Sequence, residues 1–136
     1  MGPFTFNAVP SAHEELDTDE HGDYKCIGFI FEVGGRVIYH SGDCLGYDGL
    51  AGHLKRWKID LALLPINGRD LSRGVPGNFD SESASRLGRE IGAKLIVPCH
   101  YEMFEFNSVS PQSFAEAAGK IGQEYYLMKC GERLDL

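Results

Sequence analysis

Arg36-Val37-Ile38-Tyr39-His40-Ser41-Gly42-Asp43 runs from an apolar, strand-like segment into a glycine turn that ends on a carboxylate. Gly42 lets the backbone turn sharply and present Asp43. Immediately upstream, Cys26-Ile27-Gly28-Phe29-Ile30-Phe31-Glu32-Val33 is a second strand-like run, separated from the first by Gly34-Gly35 alone. Two such runs around two glycines predict a tight hairpin, because its turn requires positive φ. Apolar residues of the Cys26–Val33 run fall on both faces, which predicts a sheet covered on both sides.

Outward from this hairpin the chain alternates strands with helices. Residues 4–9 read as a short strand, and the acidic stretch 14–25 as an exposed loop. After Asp43 a helix is expected over 48–57, with Asp48 as N-cap and Leu50, Leu54 and Trp57 on one face. Residues 60–66 read as a buried strand and the Gly-, Asn- and Pro-rich 67–79 as a loop. Ser81 is placed to cap a helix whose stripe is Ala84, Leu87, Gly88 and Ile91, and strand 94–98 follows Gly92. Ser110-Pro111 opens a last helix with Phe114, Ala117, Ala118 and Ile121 inward, and Gly122 ends it. Residues 124–130 read as a final strand. The pattern predicts an α/β layer, not a helical bundle or an all-β sandwich.

Two further strand-like runs end in metal-ligand residue types: Val9-Pro10-Ser11-Ala12-His13 and Leu95-Ile96-Val97-Pro98-Cys99-His100. Chemistry in α/β folds gathers at the carboxyl ends of strands, so His13, Asp43 and His100 can converge. Two imidazoles and a carboxylate make a partial shell for a hard or borderline transition metal. His40, three residues before Asp43, is placed to orient that carboxylate. His21, in the polar loop, and His53, on a helix face, read as solvated. Arg69 and Arg73 lie in the loop after the 60–66 strand, where a guanidinium could hold a phosphate or carboxylate. Tyr101 beside His100 is a candidate donor to an oxyanion, while Asn67 and Asn78 read as turn residues and Glu102 and Glu105 as loop charge.

Bulk properties narrow the function classes. A chain of 136 residues suits one domain. With 43% apolar and 24% charged residues its composition is ordinarily globular. Net charge of −7 and a pI near 5.1 disfavour a nucleic-acid partner. No apolar run approaches the ~20 residues of a membrane span. The first residues lack the basic and apolar regions of a secretory signal. Cys26, Cys44, Cys99 and Cys130 contain no CxxC pair and read as reduced thiols of a cytoplasmic protein. Cys44 and Cys99 adjoin candidate ligands, so a supporting or liganding role stays open for them.

The order Val9-Pro10-Ser11-Ala12-His13, Tyr39-His40-Ser41-Gly42-Asp43, Ile59-Asp60-Leu61-Ala62-Leu63-Leu64-Pro65 and Val97-Pro98-Cys99-His100-Tyr101 resembles the later motifs of the metallo-β-lactamase superfamily. Ile66-Asn67-Gly68-Arg69-Asp70, Gly77-Asn78 and His100-Tyr101-Glu102-Met103-Phe104-Glu105-Phe106-Asn107 look like its L-ascorbate-6-phosphate lactonase-like branch. The resemblance covers Phe4 to about Phe114. It implies a two-metal hydrolase with an αββα sandwich, in which His13 binds one divalent ion, His100 the other, and Asp43 bridges them. Zinc and manganese both suit such donors. A water activated between ions ~3.5–4 Å apart would attack a lactone carbonyl, with a metal stabilising the oxyanion. Asp43 and His100 then stand at the chemistry, with Arg69 and Tyr101 on the substrate.

The sequence departs from the family in one respect. Its histidines are at 13, 21, 40, 53 and 100, so no His-x-His pair exists and the early HxHxDH motif is absent. Each ion would keep one histidine and a share of Asp43, short of the three protein ligands usual for catalytic zinc. The resemblance therefore implies that residues 1–136 form one domain, the C-terminal half of the sandwich, a mixed sheet with helices on one face. Such a half would expose a large apolar face, so a partner is expected: the N-terminal half, or a second copy. The leading reading is a hydrolase of a lactone such as a phosphorylated sugar lactone, active only when completed and taking a small anionic substrate. The alternatives are a non-catalytic module and a phosphodiesterase on the same scaffold. Nucleic acid and membrane are not expected partners, and the acidic balance opposes a nuclease.

Overall fold

The two-glycine hairpin forms between β2 (Ile27–Val33) and β3 (Arg36–His40), with Val33 opposite Arg36. Gly34 and Gly35 have φ of 57° and 77°, the mirror-image geometry whose twist matches the flanking strands. This computed structural model describes residues 4–74 and 76–136. β1 (Thr5–Pro10) adds antiparallel to β2, while β4 (Leu61–Pro65) and β5 (Leu95–Cys99) extend the sheet in parallel from β3. The result is a mixed five-stranded sheet in the order β1-β2-β3-β4-β5. β1, β3, β4 and β5 all run the same way, so their carboxyl ends share one edge.

Three helices, α1 (Leu50–Leu54), α2 (Ser81–Ile91) and α3 (Pro111–Ile121), cover one face. Val9, Ile30, Tyr39, Ala62, Leu64 and Ile96 point from the strands into a core with Leu50, Leu54, Ala84, Ile91 and Phe114. At the opposite, amino end of β4, Asp60 accepts hydrogen bonds from the Val37 amide at 2.9 Å and Lys94 Nζ at 2.7 Å. These bonds tie three strands together and hold the carboxyl below its ordinary range, the Lys94 hydrogen bond contributing most.

Among the described residues nothing covers the second sheet face, so the two-sided cover read from β2 is not supplied by the described residues. Registered neighbours Phe6, Phe31 and Ile38, and next to them Ala8 and Phe29, form an apolar surface. Phe6 is 59% exposed and Phe29 37%. The apolar residues of β2 do fall on both faces, but among the described residues helices lie on one side only.

Four local expectations are corrected. Helix α1 does not start at an Asp48 cap: Gly49 is its N-cap at φ 92°, no side chain caps it, and it lasts five residues. Asp80, not Ser81, caps α2: its carboxylate accepts the Ser83 amide at 2.7 Å while Ser83 Oγ accepts the Asp80 amide at 3.0 Å. The strand expected over 124–130 is reduced to one bridge between Ile96 and Tyr125. Ile96 exchanges bonds with Glu124 and Tyr126, but the next donor along β5 would be Pro98, which has no N–H. The α2 stripe is buried as read; in α3, Ile121 is 37% exposed and Pro111 is buried instead.

Candidate metal centre

The shared strand edge collects the candidate residues. Asp43 follows β3 by a turn in which Gly42 takes φ 64°, and His100 follows β5 directly with φ 61°. Left-handed backbone is uncommon for a residue with a side chain, and it re-aims the His100 imidazole out of the strand direction. His100 Nε2 lies 4.0 Å from Asp43 Oδ2, an approach too long for a hydrogen bond. The imidazole is 19% exposed, and its Nδ1 is buried without a hydrogen-bond partner among the described residues.

His13 reaches the same edge by a tether that the sequence reading missed. Ser11, buried, donates from Oγ to the carbonyls of Ser41 and Asp43, each at 2.9 Å. The Leu45 amide donates to Ala12 O at 2.6 Å, and Tyr47 Oη to Pro10 O at 2.7 Å. The His13 segment is thus laced to the turn that carries Asp43. That turn also rests on Gly28, where a Cβ would lie 2.7 Å from His40 O and 2.8 Å from Ser41 O. Only a glycine at this β2 position leaves room for the turn.

The structure brings Asp43 and His100 together, but His13 does not complete a cage with them. Among the described residues no three His, Cys, Asp or Glu groups gather closely enough to hold a metal ion. The donors present fit part of a cation centre: a close imidazole–carboxylate pair that is not hydrogen-bonded, with His13 three residues beyond the end of β1, two strands from β3.

Other expectations are revised. His40 does not hydrogen-bond the Asp43 carboxylate; its Nδ1 accepts the Gly42 amide at 2.9 Å and so holds the turn itself. Burial lowers its pKa, opposed by the nearby Asp43 charge. The Tyr101 hydroxyl is engaged within the chain, donating to Met128 O at 2.5 Å. Arg69 is not free: Nη2 pairs with Glu14 Oε2 at 2.6 Å. Arg73 is a bracing residue, donating to Asn67 O at 2.6 Å and Asn107 Oδ1 at 3.3 Å. Cys99 is pushed up to about 12 by burial, and burial also raises Cys44, so both are thiols near neutral pH. All four cysteines are free.

Asn67 and Asn78 are more than turn residues. Both are buried, Asn78 Nδ2 donates to Asn67 Oδ1 at 3.0 Å, and Asn67 Nδ2 donates to Asn107 Oδ1 at 3.0 Å. This carboxamide chain joins the loop after β4 to the loop that carries His100. Glu14, read only as part of an acidic loop, has φ 87° and accepts the Gly77 amide at 2.6 Å as well as Arg69. Those hydrogen bonds, that of Arg69 first, hold its carboxyl below the ordinary range. Its position next to His13 was the one available signal.

A UPF0173 metal-dependent hydrolase of Alkaliphilus metalliredigens is 39% identical over 122 residues, which cover 82% of this chain and 48% of that protein. The chain spans about half the length of the curated relatives it matches. Isothiocyanate hydrolase from Delia radicum gut bacteria superposes with a TM-score of 0.77 at 19% identity, over 98% of this chain and 54% of that one. A metallo-beta-lactamase fold protein of Bacillus subtilis gives 0.72 at 19%, over 97% and 49%. The profile of the beta-lactamase superfamily domain matches residues 1–101, three-quarters of the sequence and every candidate ligand. On that match, with strand ends that carry His13, Asp43 and His100 to one edge, the chain belongs to the beta-lactamase superfamily and has the metallo-β-lactamase type of fold.

Proposed function

We propose that this chain supplies one half of a two-cation hydrolase centre that opens a lactone bearing an anionic group, such as a phosphorylated sugar lactone. The carrying observation is the approach of His100 Nε2 to Asp43 Oδ2 at 4.0 Å, with no hydrogen bond between them, at the carboxyl edge of the sheet. Relatives named metal-dependent hydrolases support the reaction class. The lactone is what the resemblance of Asn67-Gly68-Arg69-Asp70 and His100–Asn107 to the lactonase-like branch implies.

In this reading His100 and Asp43 hold one divalent ion, zinc or manganese, and His13 with a share of Asp43 holds the second. Such an ion supplies Lewis acidity and a water acidic enough to be deprotonated at neutral pH. The chain's own groups supply position. Ser11 and His40 fix the Asp43 turn, the Asn67–Asn107 bond braces the His100 loop, and Arg69 supplies positive charge for the substrate's anion. The remaining ligands come from a partner carrying an HxHxDH segment, the N-terminal half of the sandwich, which also covers Phe6 and Phe29.

The test is to co-express the chain with such a half, measure bound metal, and assay opening of a phosphorylated sugar lactone. Stoichiometric metal and turnover, both lost in His100→Ala and Asp43→Ala, support the reading. A folded complex without metal sinks it. A non-catalytic module is the second reading, favoured by the lack of a three-donor cage among the described residues. It predicts assembly with the partner and no turnover.

A further inference from the structure

Glu14 and Arg69 are 55 positions apart, yet the carboxylate fits its surroundings as a bound anion would. Oε2 receives Arg69 Nη2 at 2.6 Å and Oε1 receives the Gly77 amide at 2.6 Å, one charged donor and one backbone donor per carboxylate. The acceptor belongs to the residue after His13, a candidate metal ligand, and Arg69 keeps 53% of its side chain exposed. Gly77 is required for this arrangement. A Cβ there would lie 2.5 Å from Arg69 Cγ and 2.7 Å from Arg69 Cβ, so the arginine stem lies directly across the glycine. The two donors are therefore held together by packing and not only by the carboxylate between them.

Glu14 reaches this position at a cost. Its φ of 87° is in the left-handed region, which a residue with a side chain occupies only when its surroundings compel it. A carboxylate in strained backbone on a charged fork and an amide is suited to yield to a competitor that carries two oxygens.

From this arrangement we propose that Arg69 and the Gly77 amide form the receptor for the oxyanion group of the substrate, a phosphate or carboxylate, and that Glu14 is its internal stand-in. Substrate entry exchanges one anion for another: the ligand's oxygens take both donors, and Glu14 swings out beside His13. The exchange involves no covalent step. Its purpose rests on the hydrolase reading above, but its chemistry does not, because both donors belong to this chain and neither is a metal ligand.

The test uses the full chain, stripped of metal with chelator, at fixed ionic strength. Sodium phosphate and, separately, sodium acetate are titrated and followed by amide chemical shifts of Gly77 and its neighbours. If Glu14 fills the receptor most of the time, its removal raises apparent affinity by the inverse of the free fraction, about tenfold or more. Glu14→Ala and Glu14→Gln are both expected to bind at least one of the two anions about tenfold more tightly than wild type. Adding Arg69→Ala is expected to abolish the gain. The stronger of the two anions identifies the oxyanion class. Glu14→Gln keeps the size of the side chain but removes the charge that holds it on Arg69, so it reports even if Glu14→Ala is unfolded by circular dichroism. No gain in either folded variant, or a gain that survives Arg69→Ala, overturns the proposal. Because no metal is present, the outcome is independent of the hydrolase reading. A receptor on a protein that never holds metal would sink that reading alone, and a metal-loaded hydrolase whose Glu14→Gln form gains nothing would sink this one alone.

Discussion

Gly28→Ala adds a single methyl group, and the structure makes it the sharpest probe of the Asp43 turn. The new Cβ would stand 2.7 Å from His40 O, 2.8 Å from Ser41 O and 2.9 Å from the Ser41 carbonyl carbon, where ordinary contact starts at 3.4 Å. All three are backbone atoms, so no rotamer change relieves the clash, and the turn must recede by about 0.7 Å. Overpacking of this kind costs about 1–3 kcal/mol. For a domain of this size that is a fall in Tm of roughly 3–10 °C. The Ser41 carbonyl also accepts the Ser11 hydroxyl, so the shift disturbs the tether to the His13 strand. Metal–ligand distances tolerate only about 0.2 Å, so metal affinity is expected to fall at least tenfold. Gly119→Ala is the control, since a Cβ there meets nothing within 4 Å on helix α3. It is expected to be neutral or to stabilise by about 0.5–1 kcal/mol. The assay is thermal melting by circular dichroism beside a metal titration of each variant in the completed protein. If Gly28→Ala melts and binds metal as Gly119→Ala does, the turn does not rest on β2 and the account of Asp43 positioning is wrong.

Asp60→Asn removes the charge that ties β3, β4 and β5 at their amino ends, and is expected to cost about 2 kcal/mol in urea denaturation. The Asp60 carboxyl is lowered in the folded chain, so its contribution is present above the ordinary carboxylate pKa and lost as pH falls through the lowered value. Wild-type stability should therefore drop more steeply than that of Asp60→Asn as the solution is taken below about pH 4. Asn67→Ala strips a partner from both Asn78 and Asn107 in a buried chain of carboxamides, for an expected loss of about 2–4 kcal/mol by the same assay. A loss below about 0.5 kcal/mol would show that the chain does not brace the loops. Phe6→Ser with Phe29→Ser should reduce binding of an apolar dye and weaken association with the partner half by an order of magnitude or more. Undiminished partner affinity in that double variant would place the interface elsewhere.

The alternation of strands and helices was legible because its signals are local. Gly34-Gly35 can hardly be anything but a hairpin turn, and the α2 stripe at Ala84, Leu87, Gly88 and Ile91 lies in the core as read. What escaped was set by tertiary contact. Pro98 denies the sheet a sixth strand, which shows only once Ile96 is seen to face Glu124 and Tyr126. Gly28 looked like any strand residue until the Ser41 carbonyl was found over it. At the site, Asp43 and His100 could be placed from strand ends, because parallel strands bring those ends to one edge. The engagement of Arg69 by Glu14 and of Tyr101 by Met128 could not, since each joins loops whose path no periodicity records. Asn67 and Asn78 carried turn chemistry in sequence and a buried network in space, and only burial separates the two.

The most direct measurement of the central claim is the metal content of the chain joined to an HxHxDH-bearing half, compared with the same complex carrying Asp43→Ala. Two divalent ions per complex in the first, and at most one in the second, are the expected result. Metal content unchanged by Asp43→Ala, or a folded complex that takes up none, would contradict the assignment of Asp43 as the carboxylate shared between two ions.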